Sequence, residues 1–339
     1  MSQPGPDHDI KSEGSLVNKA LEWTESGYEV ALATVISTWG SSPRPVGSQL
    51  IIRDDNLFEG SVSGGCIEGE VVAEGLRVIR NENVKTLEFG IADAAAWEAG
   101  LACGGQVQVF VQKITSNLKV MLSDLNLAQK KKQAMAVLID LSSGEAQLKE
   151  NRDHGSEDLV RCFTNDESRL ISFDGNDRVF AHILNPPLRL FIIGAVHIAQ
   201  VLSKMATQTG YEVVVIDPRD TWAEAVRFPD ITIDKRWPST ALEELSPNSR
   251  TAVVTLCHDP KLDDPALLVA LDSDAFYIGS LGSRKTHWKR IERLKGEGVS
   301  DELLARIKAP VGLNIGARTP AEIALSIMGQ VTEVLRLPQ

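Results

Sequence analysis

The fold is most tightly constrained by the second half of the chain. Leu188 to Ile193 is an apolar run ending in Gly194. His197 to Thr207 repeats apolar residues at helical spacing, and Glu212 to Ile216 is a second apolar run ending in Asp217. Two short, almost wholly apolar runs flanking an amphipathic helix read as parallel strands covered on both faces, joined by a right-handed crossover. The alternation continues. Thr251 to Leu256 ends in Cys257-His258-Asp259, Pro265 to Leu271 reads as a helix, and Ala275 to Ile278 as a strand ending in Gly279. The pattern predicts an α/β fold, with a doubly wound, Rossmann-like parallel sheet over residues 187–339.

An acidic residue about 20 positions past the first glycine is the dinucleotide-binding layout. The glycine fingerprint reads Gly194-Ala195-Val196-His197-Ile198-Ala199, so a branched Val196 stands where a pyrophosphate would touch backbone. Asp217 either holds a ribose hydroxyl or simply ends its strand. Strand ends in such sheets form the binding crevice. That places His258 and Asp259 at one edge of it, with His258 a general base, a ligand-orienting group or a structural hydrogen-bonder. The loop from Gly279 to Lys285, with Arg284, can cradle a phosphate or can lead into a solvated basic helix, Lys285 to Lys295. Thr319-Pro320-Ala321-Glu322 reads as a capping box that starts the last helix.

The first half carries two glycine–cysteine clusters, Ser63-Gly64-Gly65-Cys66-Ile67-Glu68 and Ala102-Cys103-Gly104-Gly105. Leu57 to Val62 reads as a strand, and helical spacing follows from Ile67. Cys66 is therefore expected in the first turn of a helix, where free backbone N–H groups and the helix dipole favour an anion and activate a thiol. Cys103 precedes an alternating strand, Gln106 to Ile114. Cys66 is the stronger candidate for sulfur or soft-metal chemistry and Cys103 the weaker, whereas Cys162 and Cys257 read as small buried hydrophobes. The proline-stiffened loop Gly40 to Ser48 offers Arg44 as a planar anion fork, a ligand clamp or a rigid connector.

Elsewhere the first half reads as a helix (Leu16 to Ser26), strands at Tyr28 to Thr38, Gln49 to Arg53 and Val84 to Phe89, and a short helix at Ala92 to Ala99. A weaker stretch from Ser116 to His182 holds a helix at Lys119 to Lys132 and a strand at Ala134 to Leu141. Asn185-Pro186-Pro187 looks like a domain boundary. The expected division is a disordered leader over 1–14, a cofactor-handling domain over 15–186 with its core at 15–115, and the Rossmann-like domain over 187–339. The polar, acidic N-terminus is no signal peptide, and no apolar run reaches the roughly 20 residues that span a bilayer. Four cysteines without paired spacing give no disulfide framework and fit a reducing cytoplasm. A formal net charge of −11 argues against nonspecific nucleic-acid binding.

Taken in order, these motifs resemble the xanthine dehydrogenase accessory factor family, XdhC/CoxI. The resemblance rests on Gly40-Ser41-Ser42-Pro43-Arg44-Pro45, Gly60 to Glu68, Leu101 to Gly105, His258 to Asp263, Tyr277-Ile278-Gly279-Ser280 and Gly316-Ala317-Arg318-Thr319-Pro320. Val196 departs from the glycine that family carries there. The resemblance implies a maturation factor rather than a turnover enzyme. Such a factor binds molybdenum cofactor (molybdopterin), shields it while a cysteine desulfurase provides its terminal sulfido ligand, and delivers it to an apo xanthine dehydrogenase or related molybdenum hydroxylase. It also implies a homo-oligomer in the cytoplasm. On that reading Cys66 contacts molybdenum or carries sulfur, with Cys103 as a second thiol. Arg44, Ser63, Gly64, Gly65, Glu68 and Gly104 line the cofactor, and Gly194, Asp217, His258, Asp259, Gly279 and Arg284 form the second site, which a nucleotide could occupy. Two other classes stay open: an NAD(P)-dependent oxidoreductase, and a scaffolding subunit without a cofactor of its own.

Overall fold

The computed structural model describes residues 12–40, 44–90, 105–151, 156–220 and 222–337. It divides into two compact units, the first ending at Pro186 and the second beginning at Pro187. The expected helix over 92–99, together with Cys103 and Gly104, lies outside the described residues, as do Ser41, Ser42 and Pro43. No described helix is long and apolar enough to cross a membrane.

The first unit begins with helix α1 (Ser12–Glu25), which starts inside the expected leader, followed by β1 (Val30–Trp39), β2 (Gln49–Arg53) and β3 (Phe58–Gly60). Helix α2 (Glu68–Asn81), β4 (Lys85–Phe89) and β5 (Gln106–Lys113) complete an antiparallel sheet of order β3-β2-β1-β5-β4. The period-two alternation sorts its side chains. Val30, Leu32, Ile51 and Phe110 face one way, into a core shared with α1 and α3 (Ser116–Lys130). Ala31, Ala33, Leu50, Ile52, Val109 and Val111 face the other way, against Val71, Val78 and Ile79 of α2. The small alanines let α2 sit close, and Gly75 lets it closer still, because a Cβ there would lie 2.4 Å from Ile52 Cδ1. The weakly patterned stretch that follows forms a second antiparallel sheet. It holds β6 (Met135–Asp140), β7 (Ala146–Glu150), β8 (Arg169–Phe173) and β9 (Asn176–Leu184) in the order β7-β6-β9-β8, with α4 (Glu157–Asn165) on its far face.

The second unit is all parallel: β10 (Arg189–Ile193), β11 (Glu212–Ile216), β12 (Thr232–Asp234), β13 (Thr251–Thr255), β14 (Tyr277–Ser280) and β15 (Ile307–Lys308). The strand order β12-β11-β10-β13-β14-β15 is the doubly wound Rossmann order, with its switch point between β10 and β13. Both faces are covered. Leu190, Ile192, Val213 and Val215 pack against α5 (His197–Gln208) and α10 (Pro320–Arg336). Phe191, Ile193, Val214 and Ile216 pack against α6 (Pro238–Leu245), α7 (Pro260–Leu271) and α8 (Arg284–Gly296). A one-turn helix, α9 (Asp301–Leu304), precedes β15. Helix α7 starts five residues before the expected Pro265. Pro260 takes its first position, where the missing N–H costs nothing, and the Asp259 carboxylate caps it by accepting the Lys261 N–H at 3.0 Å. At α10 the Thr319–Glu322 capping box forms in both directions.

Gly194 shows how tightly the sheet edge is built. Its φ is +105°, and a Cβ there would lie 2.5 Å from the Cys257 sulfur. Gly194→Ala is therefore expected to destabilise the protein by about 2 kcal/mol or more, from backbone strain and collision together. In a Cys257→Ala background the cost should shrink without vanishing, because only the collision is relieved. Urea unfolding of the four variants measures both terms, and equal costs in the two backgrounds would refute the close approach.

Candidate functional site

In the first unit, β3 ends at Gly60, where φ is +97° and a Cβ would meet the Gln49 carbonyl oxygen at 2.4 Å. The chain then turns through Ser61–Ile67 before α2 begins at Glu68, so Cys66 stands just ahead of the helix rather than in its first turn. Gly64 (φ +81°) and Gly65 (φ +119°) adopt left-handed conformations that aim successive N–H groups inward. Those groups converge on Glu68. Its Oε1 accepts the N–H of Val62 at 3.2 Å, of Ser63 at 2.9 Å and of Gly64 at 3.1 Å, and the Ser61 hydroxyl at 2.8 Å. Oε2 accepts the Gly65 N–H at 2.9 Å and the Ser63 hydroxyl at 2.5 Å. Ser63 Oγ in turn accepts the N–H groups of Cys66 and Ile67, both at 3.1 Å.

This corrects the expectation that free N–H groups at the turn hold an external anion. The anion is internal. Burial opposes the Glu68 charge, but the Ser63 hydroxyl and N–H and the Ser61 hydroxyl outweigh it and hold the carboxyl at about 2. Ser63, Gly64 and Gly65 thus serve Glu68, and their N–H groups are not available to a cofactor phosphate. Cys66 follows the two glycines half-buried, packed against the apolar cluster of β1, β2, β5 and α2, and is not in a disulfide. Arg44 joins it from the preceding loop, its Nε donating to the Ser61 carbonyl at 3.3 Å. The structure therefore brings Arg44, Ser63, Gly64, Gly65, Cys66 and Glu68 into one small region.

In the second unit, Gly194 and Asp217 do meet, but in service of the fold. The Gly194 N–H donates to the Ile216 carbonyl at 2.8 Å. Asp217 is fully buried. Its Oδ2 accepts the Ala195 N–H at 2.8 Å and Arg219 Nη2 at 2.7 Å, while Oδ1 accepts the Arg219 N–H at 3.0 Å and Nε at 2.8 Å. Burial disfavours this charge, yet the guanidinium and the two N–H groups keep the carboxyl below its usual range. With four donors of the chain itself on its two oxygens, Asp217 offers a ribose hydroxyl no free acceptor, which corrects that assignment. Gly279 lies inside β14, paired with Val254 and Lys308, and a Cβ there would collide with Val311 and Tyr277, which accounts for the glycine. The Asp259 carboxylate caps α7. His258 is exposed at φ +58°, and Arg284 is exposed at the start of α8, whose cap is Ser283.

Three charged residues of this unit are not among the expected site residues, although Asp263 closes the His258 to Asp263 run. Arg219 follows Asp217 by two positions and also reaches Cys257 Sγ at 3.7 Å. Burial, reinforced by the Asp263 and Asp217 carboxylates, pushes the Cys257 thiol up to about 12, which leaves it inert. Asp263 and Arg290 are 1% and 2% exposed. Asp263 Oδ1 accepts the Cys257 N–H at 3.3 Å, and Arg290 Nη2 donates to the Leu281 carbonyl at 2.9 Å. Asp263 Oδ2 and Arg290 Nε and Nη1 have no partner among the described residues. The helix carrying Arg290 reads as solvated in the sequence, but one of its cations faces the core. Among the described residues no cluster of three His, Cys, Asp or Glu side chains could hold a metal ion.

A doubly wound sheet following an antiparallel domain with a cysteine-bearing glycine turn defines a Rossmann-domain protein with a separate, thiol-presenting unit. Comparison with known proteins gives the family. Residues 190–331 match the XdhC Rossmann domain and residues 23–90 match the XdhC and CoxI family, together more than half of the chain. The chain belongs to the XdhC and CoxI family. It is 28% identical over 321 residues to an Escherichia coli (strain K12) protein named molybdenum cofactor insertion chaperone PaoD, covering 94% of this chain and 88% of that one. It is 27% identical over 320 residues to a Bacillus subtilis (strain 168) protein named as a probable xanthine dehydrogenase subunit, covering 91% and 94%. A Bacillus halodurans crystal structure at 2.80 Å, described as that of a xanthine dehydrogenase, matches with a TM-score of 0.72 at 25% identity over 96% of each chain.

The Asp263 carboxyl is pushed up to about 7, because burial outweighs the pull of Arg290 and of the Cys257 and His258 N–H groups, while Asp264 adds to the rise. A raised carboxyl pKa means the folded state keeps a proton that the unfolded state has lost. This group's contribution is therefore full below the ordinary value of 3.8 and is lost as pH rises to about 7. Asp263→Asn cannot ionise, so its stability relative to the wild type should rise across that window by roughly 4 kcal/mol. Urea unfolding as a function of pH measures the difference, and a pH-independent difference would show that Asp263 ionises as freely folded as unfolded.

Proposed function

We propose that this protein is a maturation factor for a molybdenum hydroxylase. It takes up molybdenum cofactor, shields it while a cysteine desulfurase provides the terminal sulfido ligand, and hands it to an apo enzyme of the xanthine dehydrogenase type. The observation that carries the reading is the partly exposed Cys66 thiol on a turn whose donors converge on Glu68, with the Arg44 guanidinium against the same turn. The relatives named for molybdenum cofactor insertion and for xanthine dehydrogenase support it.

The cargo combines a soft molybdenum–sulfur centre with an anionic pterin phosphate, and the residues present fit both ends. A thiol is a suitable soft donor for the metal or its sulfur. A guanidinium is a suitable planar fork for phosphate. The NAD(P)-dependent alternative loses support at the residue it most needs, since Asp217 is committed to Ala195 and Arg219.

Cys66→Ser is expected to keep the fold, because Cys66 is only partly buried, and to lower retained molybdenum at least roughly tenfold. Metal analysis and acid-oxidised pterin fluorescence of protein purified from cofactor-replete cells measure this. Cys103→Ser should cost less. Normal maturation of the target hydroxylase by Cys66→Ser would overturn the assignment.

A further inference from the structure

The hydrogen bonds of the Ser61–Ile67 turn follow one rule. Every backbone N–H from Val62 to Gly65 reaches the Glu68 carboxylate, that of Gly64 shared with the Ser61 hydroxyl, and those of Cys66 and Ile67 end on Ser63 Oγ, which itself donates to Glu68. Four consecutive N–H groups thus converge on one carboxylate, and the next two on a serine bonded to it. Capping a helix does not need this. A Glu in the first turn of a capping box binds the cap residue's N–H, whereas Glu68 reaches past the helix and spends its oxygens on the non-helical segment in front of it. Glycines with positive φ at 64 and 65 shape that segment around the carboxylate, and nothing lies within 4 Å of a Cβ placed at Gly65, so conformation rather than space demands glycine there.

We propose that Glu68 is the positioning residue of the site: a resident anion that holds the turn in the shape presenting Cys66, and that reserves the turn's backbone donors so that Arg44, not the N–H groups, receives the cargo's phosphate. The proposal rests on the reading that Cys66 meets the cargo. Glu68 itself touches no ligand on this account, and the residue is only 8% exposed.

The test uses the full chain, with Glu68→Ala and the near-isosteric Glu68→Gln. Hydrogen exchange of a peptide spanning 61–67 reports the turn, iodoacetamide labelling reports the Cys66 thiol, and molybdenum analysis reports retention. The expected result is a native far-UV spectrum in both variants, exchange at 62–67 faster by on the order of 10- to 100-fold, faster labelling of Cys66, and a loss of retained molybdenum. Added formate should slow exchange in Glu68→Ala by refilling the vacated position, chloride at matched ionic strength should not, and Glu68→Gln should respond to neither. Unchanged exchange at 62–67, acceleration spread evenly over the unit, or no response of Glu68→Ala to formate would each overturn the proposal. If Glu68→Ala fails to fold, turn-confined acceleration in Glu68→Gln decides in the same way. Exchange and labelling need no cargo, so a wild-type protein that retains no molybdenum would refute the proposed function and leave this assignment to be judged by the other two measurements.

Discussion

A glycine-bearing turn from a strand into a helix leaves a fan of backbone N–H groups facing one point, and those groups must be satisfied if they are buried. This protein solves the problem in both units with a carboxylate of its own. In the first, Glu68 reaches back from the following helix over Gly64 and Gly65. In the second, Asp217 reaches across from the next strand to the Ala195 N–H beside Gly194. Each carboxylate is largely or wholly buried, and each is held ionised by donors that outweigh the cost of burial. The turns of both units depend on these closures. Without them the strand ends would carry orphaned donors.

The same closures account for what can and cannot be read from the sequence. Strand alternation is a periodic signal, and it locates the parallel sheet: Leu190 and Ile192 face one layer, Phe191 and Ile193 the other. The Thr319 box is legible because its partners are three residues apart. Gly64 and Gly65 are legible as a turn, but the destination of their N–H groups is not, since nothing in the local pattern distinguishes a waiting anion site from one filled by Glu68. Asp217 misleads for a related reason. An acidic residue at the end of the second strand has the same spacing whether it binds a ribose or closes Gly194-Ala195, and Arg219 two residues on marks the difference only once the side chains are placed. At Gly279 and Arg290 packing decides what the sequence leaves ambiguous. Val311 and Tyr277 crowd the glycine, and the core takes one arginine from an otherwise basic helix.

Thiol environment separates the described cysteines. Cys162 is fully buried and its thiol is pushed up, chiefly by burial. Cys257 is pushed up to about 12, first by burial and then by the carboxylates of Asp263 and Asp217, and its sulfur is part of the packing that forces glycine at 194. Both are placed to pack rather than to react. Cys66 is partly exposed, as Cys257 is, and differs in its backbone. It stands on a segment whose N–H groups from Val62 to Ile67 are all accounted for, so much of the cost of ordering a loop around a side chain has already been met within the fold.

That commitment also divides the work at the site. A turn with open N–H groups would recognise a phosphate by itself, and its thiol would then compete with the phosphate for the same few ångströms. With Glu68 in place the turn's donors are committed, and on the proposed reading recognition falls to two side chains of different chemistry, a soft thiol and a planar cation. Arg44 is tied to the turn through the Ser61 carbonyl, which sets its guanidinium beside the Glu68 lock. A cargo bearing a soft metal–sulfur centre at one end and an anion at the other can meet such a pair end to end. On the proposed reading, a cargo with only one of these features would engage half of it.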